Sequence, residues 1–438
     1  MQICLQKSVV KIDVEKGGTM TLTFKRILEL DGNLEKYKEE YEKSITKSQI
    51  EEIEKMLECR DPKKGFATYL CLQCGEDKKV PFTCKSRICS SCGKKYADKW
   101  AEELSGRLWN VGHRHITFTI AEELWSILEE NEEWRKELFK AANATLREVM
   151  EHKAGVVLTL HPYGKDMKVN YHIHALVTEG GIDKNGQWRS QPFIPYKKLR
   201  KVWQYEILTR LRAVMPKEYK YIKLINDLFM RYKDGFYVNA EPKVKDGKGV
   251  GKYIGRYLRH PAIADSRILS YDGEYVTFSY KDRSGSGKAI VRVKKVPVLE
   301  FIHGVVRHIP PKQFKMVRYY GLYAPRKKEK VKQLMQQIGS MLGRAVRKLT
   351  WRERRMQTFG QDPLTCPKCG ERDMVLYSLT VPDGNGLKTI GGRSWLFARG
   401  DWLELPEEGM RTTNFGSHTF NEPQTSPIQL SFDFTVAA

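Results

Sequence analysis

Nowhere in these 438 residues do about 20 apolar side chains run together, the length a helix needs to cross a bilayer core. The opening MQICLQKSVVKIDVEKGG is too charged, and its apolar run too short, for a secretory signal; the expected compartment is the cytosol. Acidic charge is in short supply: 53 Asp and Glu stand against 76 Lys and Arg, a net charge of +23. That excess suggests a polyanionic partner. A membrane surface would call for one concentrated basic amphipathic helix, but here the basic residues are spread, thickening at 192–220, 281–296, 307–355 and around Lys94–Lys99. The 21 tyrosines interleaved with them suit base stacking along a charged groove.

Length allows two or three domains with at least one sizeable core. The nine cysteines, at 4, 59, 71, 74, 84, 89, 92, 366 and 369, are mostly clustered, and in a reducing compartment clustered thiols read as metal ligands before disulfides. CLQCGEDKKVPFTCKSRICSSC holds Cys71-x-x-Cys74 and Cys89-x-x-Cys92, a spacing that predicts one tetrahedral structural Zn²⁺ with no position open to substrate. Cys59 and Cys84 are left over, as is the downstream knuckle of Cys366 and Cys369. By count these four are candidates for a second zinc site that staples the C-terminal segment to the N-terminal module. Cys4 reads as an ordinary thiol.

KVNYHIHALVTEGG, 168–181, sets His172 and His174 one residue apart in an alternating run. In a strand, residues i and i+2 share a face. Both imidazoles therefore point one way with Leu176, while Ile173, Ala175 and Val177 make an apolar face opposite. Two imidazoles so placed can share a divalent ion; taken alone, the pair could equally line a solvated sheet face. A third ligand is expected, either His161 on the preceding strand or its rivals His115 and Glu241. Thr117 and Thr119 share the face of His115. Three ligands on an open face leave room for a phosphate oxygen, on which the ion acts as a Lewis acid.

The surrounding pattern is α+β. RHITFTI (114–120) reads as a strand, 121–153 as one or two amphipathic helices, and 155–164 with 169–178 as a hairpin turned by KDMK. A basic helix follows at 196–215, more helix runs to about 232, and another strand lies at 235–244. KYIGRYLRH, 252–260, reads as helix up to Pro261. DG and SGSG turns after residue 270 predict a hairpin or small sheet. One antiparallel sheet with helices packed against it accommodates the middle of the chain. Tyr253 and Tyr257 sit at i and i+4 on one helical face, beside Lys252, Arg256 and Arg259. A tyrosine hydroxyl, with a pKa of about 10, becomes a better nucleophile near cations and a metal-bound phosphate. By themselves, two tyrosines at this spacing could be packing residues.

In this order the HxH strand, the preceding ITFTI strand and the later YxxxY helix resemble the HUH endonucleases, which nick single-stranded DNA through a covalent tyrosyl intermediate. The chain more closely resembles the rolling-circle, two-tyrosine transposases of the IS91 family. TCKSRICSSC is similar to that family's zinc-binding module, HRHITFTI to its first catalytic strand, and LTLHPYG with VNYHIHALVTEGG to its metal-binding hairpin. YIGRYLRHPAIADSRI is similar to its tyrosine helix, and VTFSYKD, FIHGVVRHIPPKQFKMVRYYGLYAP and CPKCG to its downstream region. The resemblance covers roughly 55 to 380. Tyr171 stands where the family often has proline, without consequence for ligation.

The resemblance implies an HUH-type antiparallel sheet with flanking helices, plus a small cysteine-rich zinc-ribbon-like N-terminal domain. It also implies Mg²⁺ or Mn²⁺ at His172 and His174, and attack by Tyr253 or Tyr257 on single-stranded DNA at transposon ends, hairpins among them, to give a 5′-phosphotyrosine. Target DNA is a further partner, no membrane is involved, and the protein is expected to be cytoplasmic and nucleoid-associated. Lys252, Arg256 and Arg259, together with Arg318, Tyr319 and Tyr320 within the basic run 307–326, are candidate DNA contacts; His303 and His308 read as structural or phosphate-contacting. The expected division is an N-terminal segment (1–58), a zinc-binding domain (59–110), and a catalytic domain (111–265) with a helical insertion at 190–232. A DNA-binding region (266–404) and a poorly ordered tail (405–438) complete it. A replication initiator or relaxase with the same chemistry, a zinc-ribbon binding protein with inert histidines and tyrosines, and a hydrolytic metal-dependent nuclease are the alternatives.

Overall fold

A computed structural model of the chain describes residues 22–240, 261–282, 290–325, 349–384, 386–391, 395–398 and 401–404. Three helices, α1 (Phe24–Glu29), α2 (Asn33–Glu40) and α3 (Lys47–Leu57), precede the hairpin of β1 (Phe66–Leu70) and β2 (Asp77–Pro81). Helix α4 (Ser90–Arg107) leads to β3 (His113–Thr119), α5 (Trp125–Glu130) and α6 (Glu132–Val149). Next come β4 (Gly155–Tyr163), β5 (Val169–Thr178) and a minor hairpin of β6 (Gly180–Ile182) and β7 (Trp188–Ser190). Helices α7 (Tyr196–Val214) and α8 (Tyr219–Arg231) and strand β8 (Val238–Ala240) follow. Then come β9 (Ile268–Tyr271), β10 (Tyr275–Asp282), β11 (Ile290–Pro297), α9 (Val298–Val306) and β12 (Val317–Gly321). The last elements are α10 (Trp351–Phe359), β13 (Val375–Asp383), β14 (Gly386–Gly391), β15 (Trp395–Ala398) and β16 (Asp401–Glu404).

The chain divides into two compact units, Met1–Leu57 with Lys85–Lys348, and Glu58–Cys84 with Leu349–Ala438. This differs from the expected division in two places. The segment 59–110 is split at residue 84, because β1 finds its sheet partner in β13 whereas α4 buries Trp100, Leu104 and Leu108 against the sheet of the first unit. The region 266–404 is split as well, since β12 is an edge strand of that same sheet.

In the first unit, a five-stranded antiparallel sheet runs in the order β12-β4-β5-β3-β8. Alternation along its strands gives two faces. One carries Ile116, Phe118, Leu158, Leu160, Ile173, Ala175, Val177 and Val238, packed against α6 and α7 in the main core. Trp203 of α7 meets Phe118 at 5.0 Å between ring centroids and donates its indole N–H to the Thr119 carbonyl at 2.6 Å. Truncating a ring buried like these costs about 3–5 kcal/mol. On the opposite face α4 covers Val157 and Leu176, and the rows nearer the β4–β5 turn carry the polar residues described below.

A second layer of this unit is built by α1–α3, the three-stranded sheet β11-β10-β9 and α9. Phe301 of α9 meets Phe24 at 6.1 Å and Phe278 at 5.6 Å, and His303 stacks on Tyr41 at 4.1 Å. This layer grips the β4–β5 turn. Arg267 donates to the Lys165 carbonyl at 2.6 Å, and Arg307 donates to the Met167 carbonyl at 3.1 Å while pairing with Glu129 at 3.4 Å.

The second unit carries the sheet β14-β13-β1-β2. Helix α10 is fastened to the segment that leads to β13 by Arg352, which donates from Nε and Nη2 to Asp362 at 3.0 and 2.7 Å and pairs with Asp373 at 2.7 Å. Trp351 stacks on Tyr69, ring centroids 6.0 Å apart.

Candidate metal centres

Register decides which side chains meet on the face left open by α4. His161 of β4 is the cross-strand partner of His172, and His172 is in turn the partner of Thr119 of β3. One row along, Thr159, His174 and Thr117 are aligned in the same way. Directly paired residues in an antiparallel sheet share a face, so three histidines converge: one ring nitrogen from each of His161, His172 and His174 lies within 4.8 Å of the others. Ring centroids are separated by 5.3, 4.4 and 4.8 Å.

The hydrogen bonds behind these rings decide which nitrogen faces the centre. His172 Nδ1 donates to its neighbouring Asn170 carbonyl at 2.6 Å, which leaves the Nε2 lone pair for a ligand. His174 Nδ1 is 2.8 Å from His115 Nε2 and 3.2 Å from Thr117 Oγ1, which ties down the far side of the ring. The sequence offered His115 as a rival ligand; its place is behind His174, not beside it. Glu241, the other rival, lies outside the described residues.

Burial holds all three imidazoles neutral. It lowers His172 to about 4, outweighing the opposing hydrogen bond to Asn170. His161 falls well below the usual range through burial and then through His172, Arg87, His115 and His308; His174 does so through burial and its histidine neighbours. Neutral imidazoles keep their lone pairs, the form in which histidine binds a metal. Three such nitrogens on one sheet face therefore fit a divalent ion. If His115 orients His174, then His115→Leu should weaken Mn²⁺ binding by about 10- to 100-fold while the sheet stays folded. Titration calorimetry gives the answer, and an unchanged affinity would remove His115 from the site.

The thiols of the second unit tell a different story from the spacing argument. Cys71 and Cys74 gather with Cys366 and Cys369, all four sulfurs within 4.8 Å of one another, and not with Cys89 and Cys92 as expected. Cys71 Sγ is 3.6 Å from Cys369 Sγ, and Cys74 Sγ is 3.6 Å from Cys366 Sγ. A tetrahedron of Zn–S bonds of about 2.3 Å has edges of about 3.8 Å, and a disulfide would need about 2.05 Å. The set fits a tetrathiolate ion.

Both knuckles are built alike. The Gly75 N–H bonds to the Cys71 carbonyl at 2.9 Å and the Cys71 N–H to that of Glu76 at 2.9 Å; Gly370 repeats the first bond to Cys366 at 3.1 Å and Cys366 the second to Glu371 at 2.6 Å. The N–H groups of Cys369 and Lys368 help to hold the Cys366 thiol down to about 6, while burial and the neighbouring thiols raise Cys74 and Cys369, so a cation among the four sulfurs would be needed to draw all of them into the thiolate form. The shared pattern Cys-x-x-Cys-Gly-Glu, in CLQCGE and CPKCGE but not in CSSCGK, was the signal for this pairing. Cys89 occupies the N-cap position of α4 without a side-chain cap bond, and Cys92 lies in the first turn of that helix.

The remaining candidates are dispersed. Tyr253, Tyr257, Lys252, Arg256 and Arg259 lie outside the described residues. Arg318, Tyr319 and Tyr320 form part of β12, half-buried: Tyr319 packs against the α4 cluster, Tyr320 against the main core, and the Arg318 guanidinium lies 4.3 Å from the centre of the Phe139 ring. His308 Nδ1 donates to the Gly304 carbonyl at 2.8 Å, and His303 Nδ1 is 3.2 Å from the Tyr37 hydroxyl; both have structural partners.

Two family models match the chain. One, described as "Putative transposase", spans residues 155–331; the other, described as "Transposase zinc-binding domain", spans residues 30–120. Over 294 residues the chain is 29% identical to the transposase for insertion sequence element IS801 of Pseudomonas savastanoi pv. phaseolicola, covering 64% of this chain and 71% of that protein. Over 356 residues it is 26% identical to y4qJ of Sinorhizobium fredii (strain NBRC 101917 / NGR234), which bears the first of those descriptions, covering 74% and 87%. No solved structure matches the chain. Among the described residues no helix is long and apolar enough to cross a membrane.

Proposed function

Since the chain belongs to the IS91 family of transposases, with that family's N-terminal zinc-binding domain, we propose that it nicks and rejoins single-stranded DNA at element ends by tyrosine attack, in rolling-circle transposition. The observation that carries this reading is the convergence of His161, His172 and His174 on one sheet face. These residues would hold Mg²⁺ or Mn²⁺, which supplies charge stabilisation and alignment to the scissile phosphate.

The hydroxyl oxygen of Tyr253 or Tyr257 bonds to phosphorus and its proton leaves to solvent. The bond from phosphorus to the 3′-oxygen breaks, and that oxygen takes up a proton to become a free 3′-hydroxyl. The DNA stays attached through a 5′-phosphotyrosine, so bond energy is conserved and rejoining requires no ATP. The second tyrosine serves a second strand, as in target cleavage. Lys252, Arg256 and Arg259 lie close in sequence to both hydroxyls and favour their phenolate forms.

Zinc has a structural part in this scheme: Cys71, Cys74, Cys366 and Cys369 would hold one ion.

The test is labelled single-stranded DNA from an element end, incubated with Mn²⁺ or Mg²⁺ and resolved on a denaturing gel. A metal-dependent protein–DNA adduct that persists in one of Tyr253→Phe and Tyr257→Phe, and vanishes in the double variant, is expected. Free cleaved DNA persisting in the double variant would identify a hydrolytic nuclease instead. Nicking without strand transfer between two ends would favour a replication initiator.

A further inference from the structure

The row of side chains that begins at His161 does not end at Thr119. The Thr119 N–H bonds to the Tyr237 carbonyl at 3.1 Å and its hydroxyl donates to the same oxygen at 2.8 Å, while Phe118 and Val238 are direct partners across β3 and β8. Since Val238 points into the main core, Tyr237 lies on the opposite face, in line with Thr119, His172 and His161. Asn239, partner of Thr117, extends the His174 row in the same way. At strand spacings of about 4.8 Å, Tyr237 stands about 10 Å from His172, two strands away.

Tyr237 is 61% exposed, and the Arg200 guanidinium lies 6.0 Å from the centre of its ring. Arg200 is fixed there: Nε donates to the Phe236 carbonyl at 3.4 Å and Nη2 to that of Gly235 at 3.1 Å. Gly235 makes the arrangement compact, because a Cβ at that position would lie 2.4 Å from the Arg200 backbone. Loop and helix are thereby locked edge to edge. Among the described residues no carboxylate pairs with Arg200, so its remaining N–H groups are available to an anion.

We infer that Tyr237 and Arg200 form a shelf on which a base flanking the scissile phosphate stacks, with Arg200 contacting the backbone phosphate beside it. A flat ring exposed at the edge of a polar face, with a preorganised guanidinium over it, is the pairing that binds single strands through stacking and charge. The inference rests on the proposed cleavage of single-stranded DNA and adds where the strand leaves the centre. It separates Tyr237 from Tyr319 and Tyr320, whose half-buried rings serve packing.

The test uses the zinc-loaded full chain and oligothymidylate carrying a single 2-aminopurine. Tyr237→Ala should weaken binding by about tenfold and relieve the quenching of the probe, with an unchanged melting temperature. Tyr237→Phe and Tyr237→Trp should bind within about twofold of wild type, because the ring and not the hydroxyl does the stacking. Tyr237→Ala binding as tightly as wild type, or Tyr237→Phe failing like alanine, would overturn the shelf. The adduct assay run alongside keeps the two readings apart. Full adduct formation with indifference at Tyr237 sinks the shelf alone; stacking without any adduct sinks the tyrosyl chemistry; no binding of any single strand sinks both.

Discussion

Replacing His172 and His174 together by alanine is expected to slow DNA cleavage by at least about a thousandfold, equivalent to about 4 kcal/mol of transition-state stabilisation, while DNA binding changes little. The asymmetry follows from what the histidines touch. They converge on one another in the sheet; in the proposed reaction they would hold an ion whose effect is concentrated in the transition state. The basic side chains spread over the chain, which the proposal makes the source of affinity, are untouched by the substitutions. Both positions tolerate truncation unequally, as His174 is only 8% exposed and His172 is half-buried, so melting temperatures should accompany the rates. A double variant that is folded, binds DNA and cleaves at the wild-type rate would remove the metal from the reaction. His161→Ala should fall in the same class, since His161 faces His172 directly across β4 and β5.

How far the site could be read from the chain depends on how local its geometry is. Period two in VNYHIHALVT assigns His172 and His174 to one face and Ile173, Ala175 and Val177 to the other, and the sheet has both. The short KDMK turn brings His161 opposite His172, because a hairpin that short leaves little freedom in register. What period and spacing do not encode is the choice between distant partners. Cys71 and Cys74 had a nearer candidate pair in Cys89 and Cys92, yet the edge of β1 is completed by β13, just over three hundred residues on, and brings Cys366 and Cys369 with it. Likewise, nothing in the basic and aromatic run at 317–321 announces that it forms an edge strand of the sheet, paired with β4. Tyr237 went unnoticed for the converse reason: its residue type is unremarkable, and only the pairing of Phe118 with Val238 places it on the histidine face.

The second large effect concerns the discontinuous cysteine site. Cys366→Ser is expected to release one zinc ion per chain and to unfold the second unit, with β13 separating from β1. Structural zinc in small modules contributes about 10–16 kcal/mol of apparent binding free energy, more than a domain's usual net stability of about 5–15 kcal/mol. Little else compensates here, because the buried cluster around the sulfurs is Cys71, Cys366 and Met374, with Tyr69, Cys74 and Leu364 packed against it. Metal analysis with limited proteolysis reads both consequences, cleavage being expected in 58–84 and 349–384. The decisive comparison is with Cys71→Ser and the double variant. If Cys71 and Cys366 share one ion, each single variant loses one zinc and the double loses no more. If Cys71 instead shared an ion with Cys89, Cys366→Ser would leave that ion in place and the double variant would lose two. Two ions lost in the double variant, with one in each single, would break the knuckle pairing, and with it the reason that two segments so distant in sequence fold as one unit.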